Sequence, residues 1–207
     1  MADTNSTLRI DIISDVMCPR CVIGFRQLAS ALKTKNVAHE IHWHPFELKP
    51  NMPNTGQDMR EHLVEKYGTT PEQSAANRAN MAKLGDELDF EFRLNDGFRM
   101  HNTFNTHQLL HWAGEEHGRK HDLKQALFAA HFTDARDLSD QAVLADIAGE
   151  IGLDRAKAAA VLADQRFADE VRQQQKFWTQ QGISGVPAVV FDRQHLVTGA
   201  QGVDNYL

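Results

Sequence analysis

The sequence predicts an α/β fold in which one long, all-helical insertion divides the strands of a single sheet. Three observations predict it. A strand–helix–strand pattern occupies residues 8–43, helical signals run almost unbroken through 57–181, and two short β-rich runs return at 188–191 and 195–198.

Bulk composition sets the class. The chain has 207 residues, 42% of them hydrophobic and 24% charged, the balance of a globular domain able to bury its own core. Its formal net charge is -6, from 28 acidic and 22 basic residues, and no basic stripe suggests a nucleic-acid surface. No apolar run approaches the roughly 18 residues a membrane span needs. The polar start, Met1 to Thr7, lacks the pattern of a secretory signal, so a cytoplasmic protein is expected.

Each element has its own signal. Residues 8–14 alternate and are rich in Ile, as a strand requires. Asp15 to Arg20 read as a turn. From Cys21, apolar Val22, Phe25, Leu28, Ala29 and Leu32 recur at helical spacing to about Lys35. Residues 37–43 alternate again. Pro45, Pro50 and Pro53 then open a loop ending near Gly56. Helices are expected over 57–67, 71–84, 101–117, 122–132, 140–151 and 154–180, the last with a break. Thr70 before Pro71 and Asp140 serve as start signals, and Gly118 and Gly152 as stops. Residues 203–207 look like the opening of a further helix, cut short, and the natural chain is expected to continue past Leu207. The resulting division is 1–56, 57–181 and 182–207, with the middle part inserted between two halves of a sheet.

The two cysteines in the chain, Cys18 and Cys21, flank Pro19 and Arg20 where the first strand gives way to the first helix. Two cysteines make no disulfide framework, so catalytic, redox-sensing or metal-binding roles come forward. A helix N-terminus leaves amide N–H groups unpaired and carries positive potential, and both favour a thiolate. Pro19 suits the first helical turn. Two residues of spacing bring the sulfurs within disulfide reach, so Cys18 attacks and Cys21 resolves. Arg20 adds a cation beside them. A zinc half-site would need histidines to complete four ligands, and two incidental cysteines are the bland alternative.

Gly185-Val186-Pro187 precedes the third strand, and a proline there belongs at a strand start. The order of strand, Cys-Pro-x-Cys, helix, strand, helical insert, Gly-Val-Pro and strand pair resembles that of DsbA-like thioredoxin-fold oxidoreductases. Ser14-Asp15-Val16-Met17-Cys18-Pro19, Trp43-His44-Pro45-Phe46-Glu47-Leu48 and His101-Asn102-Thr103-Phe104 resemble the FrnE-like branch, as do Ile23-Gly24 and Gly199-Ala200-Gln201. Arg20, Thr106 and Gln108 stand where that branch often has other residues.

The resemblance implies a thioredoxin fold with a large inserted helical subdomain, and thiol–disulfide exchange on protein or peptide substrates. Pro187 would be cis against the reactive pair, and the Val186 backbone would pair with the substrate. It places the Asn102 helix over the active-site face, which makes His101 and Asn102 candidates for groove contacts. Trp43, Pro45 and Phe46 fit core packing at a strand end, but Trp43 is also carried as a groove candidate. No bound cofactor and no metal are implied; glutathione or a thioredoxin-type protein would be the redox partner. Two other functions stay open: a glutathione-dependent isomerase or transferase on a small aromatic substrate, and a Cys/His metal-binding stress protein. His107 and His111 lie four apart on one helix face, a surface or groove pair or half of a metal motif. Asp15 reads as a turn residue, and Phe177 and Trp178 as core.

Overall fold

A computed structural model describes residues 7–53 and 55–207. Strand β1 (Leu8–Ser14) leads into helix α1 (Pro19–Lys35) and strand β2 (His39–Pro45). A short strand β3 (Gln57–Asp58) precedes α2 (Met59–Tyr67) and α3 (Pro71–Asp86), and strand β4 (Arg99–Met100) precedes α4 (Phe104–Glu115). Helices α5 (Lys120–Phe132), α6 (Gln141–Glu150), α7 (Arg155–Asp164) and α8 (Ala168–Gln180) follow, then β5 (Ala188–Phe191), β6 (His195–Thr198) and a 3-10 turn over Val203–Tyr206.

The main sheet has the order β2-β1-β5-β6. β1 and β2 are parallel, with Ile12 beside Trp43 and Ile13 beside His44. The other pairings are antiparallel, with Ala188 beside Ile13. Parallel neighbours need a crossover, and α1 supplies it. Side-chain alternation then decides the two faces. Trp43 meets Phe25 of α1, ring centroids 5.1 Å apart. On the other face Ile13, Ile183 and Ala188 form a buried cluster, packed by Phe46, Trp178, Val186 and Val190.

Local chemistry sets the helix ends. α1 begins with Pro at its first position and ends at Asn36, whose φ of 51° is the left-handed conformation common at helix stops. Thr70 and Gln73 form a reciprocal capping box at α3. Asp140 and Asp154 cap α6 and α7. The break expected within 154–180 falls at Gln165, with a φ of 55°.

The chain forms two compact units: residues 1–48 with 172–207, and residues 49–171. Residues 49–56 go with the helical unit and 172–181 with the sheet, so the division falls before the prolines end and inside α8. The helical unit also contains the antiparallel pair β3–β4, two residues each, which the sequence reading missed because so short a strand shows no alternation. Phe177 is not core: it is 52% exposed, while its neighbour Trp178 packs inward. Among the described residues, no helix is long and apolar enough to cross a membrane.

Candidate active site

The end of β1 turns sharply into α1. The Cys18 N–H donates to the Asp15 carbonyl at 3.3 Å, and the Cys21 N–H donates to the Cys18 carbonyl at 3.0 Å. Cys18 is the residue that caps α1, in an extended conformation, with no side-chain cap hydrogen bond. Both cysteines are thiols and buried, Cys18 at 5% exposure and Cys21 at 1%.

The loop before β5 supplies the facing wall. The Cys18 S–H donates to the Val186 carbonyl, with sulfur and oxygen 3.7 Å apart. The Val186–Pro187 peptide bond is cis, and the Pro187 carbonyl accepts the Gly199 N–H at 2.8 Å. Gly24 of α1 lies against this loop: a β-carbon there would sit 3.1 Å from Pro187 Cγ. Among the described residues the half-buried Val186 N–H donates to no group. A shallow cavity of about 320 Å³ opens beside it, bounded by the 182–187 loop with Leu196, Thr198 and Gly199.

Two acidic side chains lie at the same end of the parallel strands. Asp15 is fully buried. Its carboxylate accepts the Leu48 N–H at 2.7 Å and the Met17 N–H at 3.4 Å. Glu47 has 2% of its side chain exposed and accepts from Arg172 Nη1 and, at 3.0 Å, from Gln175 Nε2.

The Cys18 thiol is pushed well above its ordinary pKa. The hydrogen bond shared with the Cys21 thiol is the largest cause, followed by burial and the negative charges of Cys21 and Asp15; only the Cys21 amide opposes them. The thiolate expected from the helix N-terminus is therefore not favoured in this dithiol state. Arg20 does not supply the missing cation: its side chain is exposed and makes no ion pair among the described residues.

The structure brings together Cys18, Pro19, Cys21, Val186 and Pro187, five residues drawn from two ends of the sequence. Trp43 is not among them. It is 4% exposed and packed under α1 against Phe25, with the two rings tilted, so it packs the core instead of lining a groove. Phe46, one residue past β2, faces the Val186 side instead. Strand parity could have separated the two, since Trp43 and Pro45 share one face and Phe46 the other. His101 and Asn102 belong to the helical unit. His101 is 6% exposed and pairs with Asp137 at 2.9 Å, and the Asn102 amide donates to the Met52 carbonyl at 2.9 Å. Both side chains thus serve that unit's own structure. His107 and His111 are buried, and His111 packs on Phe167 with ring centroids 4.9 Å apart. Among the described residues no group of three or more His, Cys, Asp or Glu could hold a metal ion.

Over 96% of its length the chain is 34% identical to a probable DsbA oxidoreductase from Streptomyces coelicolor, covering 86% of that chain with a TM-score of 0.90. It is 28% identical over 199 residues to the uncharacterized protein YwbO of Bacillus subtilis (strain 168), covering 93% of it. The cytosolic disulfide reductase DsbM from Pseudomonas aeruginosa, solved with GSH, shares the fold at 16% identity and a TM-score of 0.64, with 96% of this chain and 95% of that one covered. Residues 9–207 match the DSBA-like thioredoxin domain, and the chain belongs to that family.

Proposed function

We propose that this protein exchanges disulfides with protein or peptide substrates through Cys18 and Cys21. The observation that carries the reading is the Cys18 sulfur facing the Val186 carbonyl, with Cys21 buried one helical turn away. In the first step the Cys18 thiolate attacks one sulfur of a substrate disulfide. A mixed disulfide forms and the other substrate sulfur leaves as a thiolate, which takes up a proton. Cys21, once deprotonated, attacks the Cys18 sulfur. The second substrate thiolate departs and the protein holds a Cys18–Cys21 disulfide. Two electrons pass to the substrate, and the reverse sequence oxidises a dithiol.

The free Val186 N–H supports a peptide partner, because an extended backbone could accept from it beside the reactive sulfur. The exposed loop residues Ser184 and Gly185 leave that approach open. Glutathione is the proposed low-molecular-weight redox partner. With no further cysteine in the chain to form structural disulfides, a reducing, cytoplasmic setting fits.

Turnover of a disulfide-bonded peptide with glutathione tests the reading. Wild-type protein accelerates the exchange and Cys18→Ser abolishes it. Retention of full rate by Cys18→Ser would sink the assignment.

A further inference from the structure

We propose that Leu196 and the open edge of β6 form a subsite for the polypeptide segment beside the substrate's reacting cysteine, and that Leu196 makes this subsite select an uncharged, apolar side chain. This inference rests on the exchange reading above and adds the class of substrate that the site takes.

Strand register builds an apolar shelf here. Ala188 pairs with Thr198 and Val190 with Leu196, and residues paired across a sheet share one face. Leu196 and Thr198 therefore extend the face on which Ile13, Ile183 and Ala188 are buried beneath Phe46, Trp178 and Val186. Over β6 that cover gives out: Leu196 is 50% exposed, and Thr198 is exposed as well. The cavity of about 320 Å³ lies between this shelf and the 182–187 loop, with Val186 on its border. The Val186 carbonyl also accepts from the Cys18 sulfur at 3.7 Å. The shelf is thus continuous with the wall that faces the reactive thiol.

The backbone of β6 is open along the same stretch. β6 is an edge strand of the main sheet. Antiparallel neighbours alternate between residue pairs that exchange hydrogen bonds and pairs that do not. The Gly199 N–H donates to the Pro187 carbonyl at 2.8 Å, so the next bonded pair in register is Val197 with Val189. The main-chain groups of Leu196 and Thr198 therefore point away from β5. Gln201 Nε2 donates to the Thr198 carbonyl at 2.5 Å. Among the described residues, nothing pairs with the Thr198 N–H or with the N–H and carbonyl of Leu196. An extended peptide can bond to these groups as a further strand, and its alternate side chains then fall on the shelf.

The lining decides which side chain fits. No residue bordering the cavity carries a charge, and the polar side chains among them are the hydroxyls of Ser184 and Thr198. A charged side chain placed there loses water without gaining an ion partner. A Leu, Ile or Val side chain covers Leu196 and removes apolar surface from water. A small thiol of the glutathione class, with its carboxylates and ammonium, finds no charged partner on the shelf and reacts at Cys18 without it.

The test uses the full chain and a set of peptide disulfides carrying Leu or Asp, one position at a time, at the three positions on either side of the cysteine. At one of these positions the wild-type KM should be about tenfold lower for Leu than for Asp, with kcat the same. Leu196→Lys, a residue that edge strands tolerate, should reverse that preference, read as the ratio of kcat/KM for the two peptides. Leu196→Ser should erase it. No preference at any position, or the wild-type ratio retained in both variants, overturns the inference. A wild-type dimer that Leu196→Lys converts to monomer, with the peptide ratio unmoved, assigns the edge to a second copy of this chain and overturns it too. Cys18→Ser runs alongside: if it stays active the exchange reading itself fails, whereas an inactive Cys18→Ser with no Leu preference in wild type removes this inference alone.

Discussion

The Cys18 sulfur and the Val186 carbonyl oxygen lie 3.7 Å apart although 168 residues separate them in the chain. The sheet makes this contact. β1 is central, paired with β2 on one side and β5 on the other, so the turn leaving β1 and the loop entering β5 meet at one end. Gly24 and Pro187 set how closely α1 approaches that loop.

The raised pKa of Cys18 gives a pH dependence with a definite sign. The folded protein binds this proton more tightly than the unfolded chain, whose thiol titrates near about 8.5. The stabilisation is complete below that pH and is lost as pH rises through the folded value. Reduced protein should therefore lose denaturant stability from about pH 8.5 upward, and Cys18→Ala should remove that part of the loss. Equilibrium unfolding at several alkaline pH values measures it.

Asp11 gives an acid-side counterpart. It is 1% exposed on β1 and bonded to His44 Nε2 at 2.7 Å and to Arg9 at 2.7 and 2.9 Å. Burial works to raise its pKa, but the His44 and Arg9 hydrogen bonds outweigh burial and hold it well below the usual carboxylate range. Its stabilisation is present above the unfolded pKa of about 3.9 and is lost as pH falls through the folded value. Asp11→Asn should cost about 3 kcal/mol near neutral pH and flatten the acid unfolding curve. Urea denaturation between pH 3 and about 7 reads both effects.

Gly24→Val should cost about 1–3 kcal/mol and slow disulfide exchange. The first added carbon would lie 3.1 Å from Pro187 Cγ and 3.6 Å from Ala200 Cα. A proline ring and a backbone atom give little ground. The loop carrying Val186 would be pushed away from Cys18, so the exchange rate should fall along with the stability, which an exchange assay run beside urea denaturation reads.

Trp43→Phe should lower stability and leave the peptide KM unchanged. Trp43 is 4% exposed between the sheet and α1, so shrinking it leaves a cavity without touching a bound peptide. A rise in KM at unchanged stability would return it to the groove.

Much of this was legible in the sequence, for identifiable reasons. The strand–helix–strand run and the final strand pair carry strong alternation or helical spacing, and their observed limits lie close to the expected ones. Cys18, Cys21, Val186 and Pro187 announced themselves through turn chemistry and motif order. The charge on Cys18 did not. A helix N-terminus argues for a thiolate, but the outcome depended on the hydrogen bond with the Cys21 thiol and on burial, neither of which spacing reveals. Glu47 and Arg172 are 125 residues apart and share no local pattern, so their pairing had no sequence signal. His101 looked available because it is polar, yet it is buried against Asp137 and His131.

A redox titration shows whether Cys18 and Cys21 form a reversible dithiol–disulfide couple. The full chain is equilibrated in glutathione buffers of graded potential, and thiols are trapped and counted. One reversible two-electron transition, absent in Cys18→Ser, is expected. Thiols that stay reduced across the whole range, or a transition that survives Cys18→Ser, would contradict it.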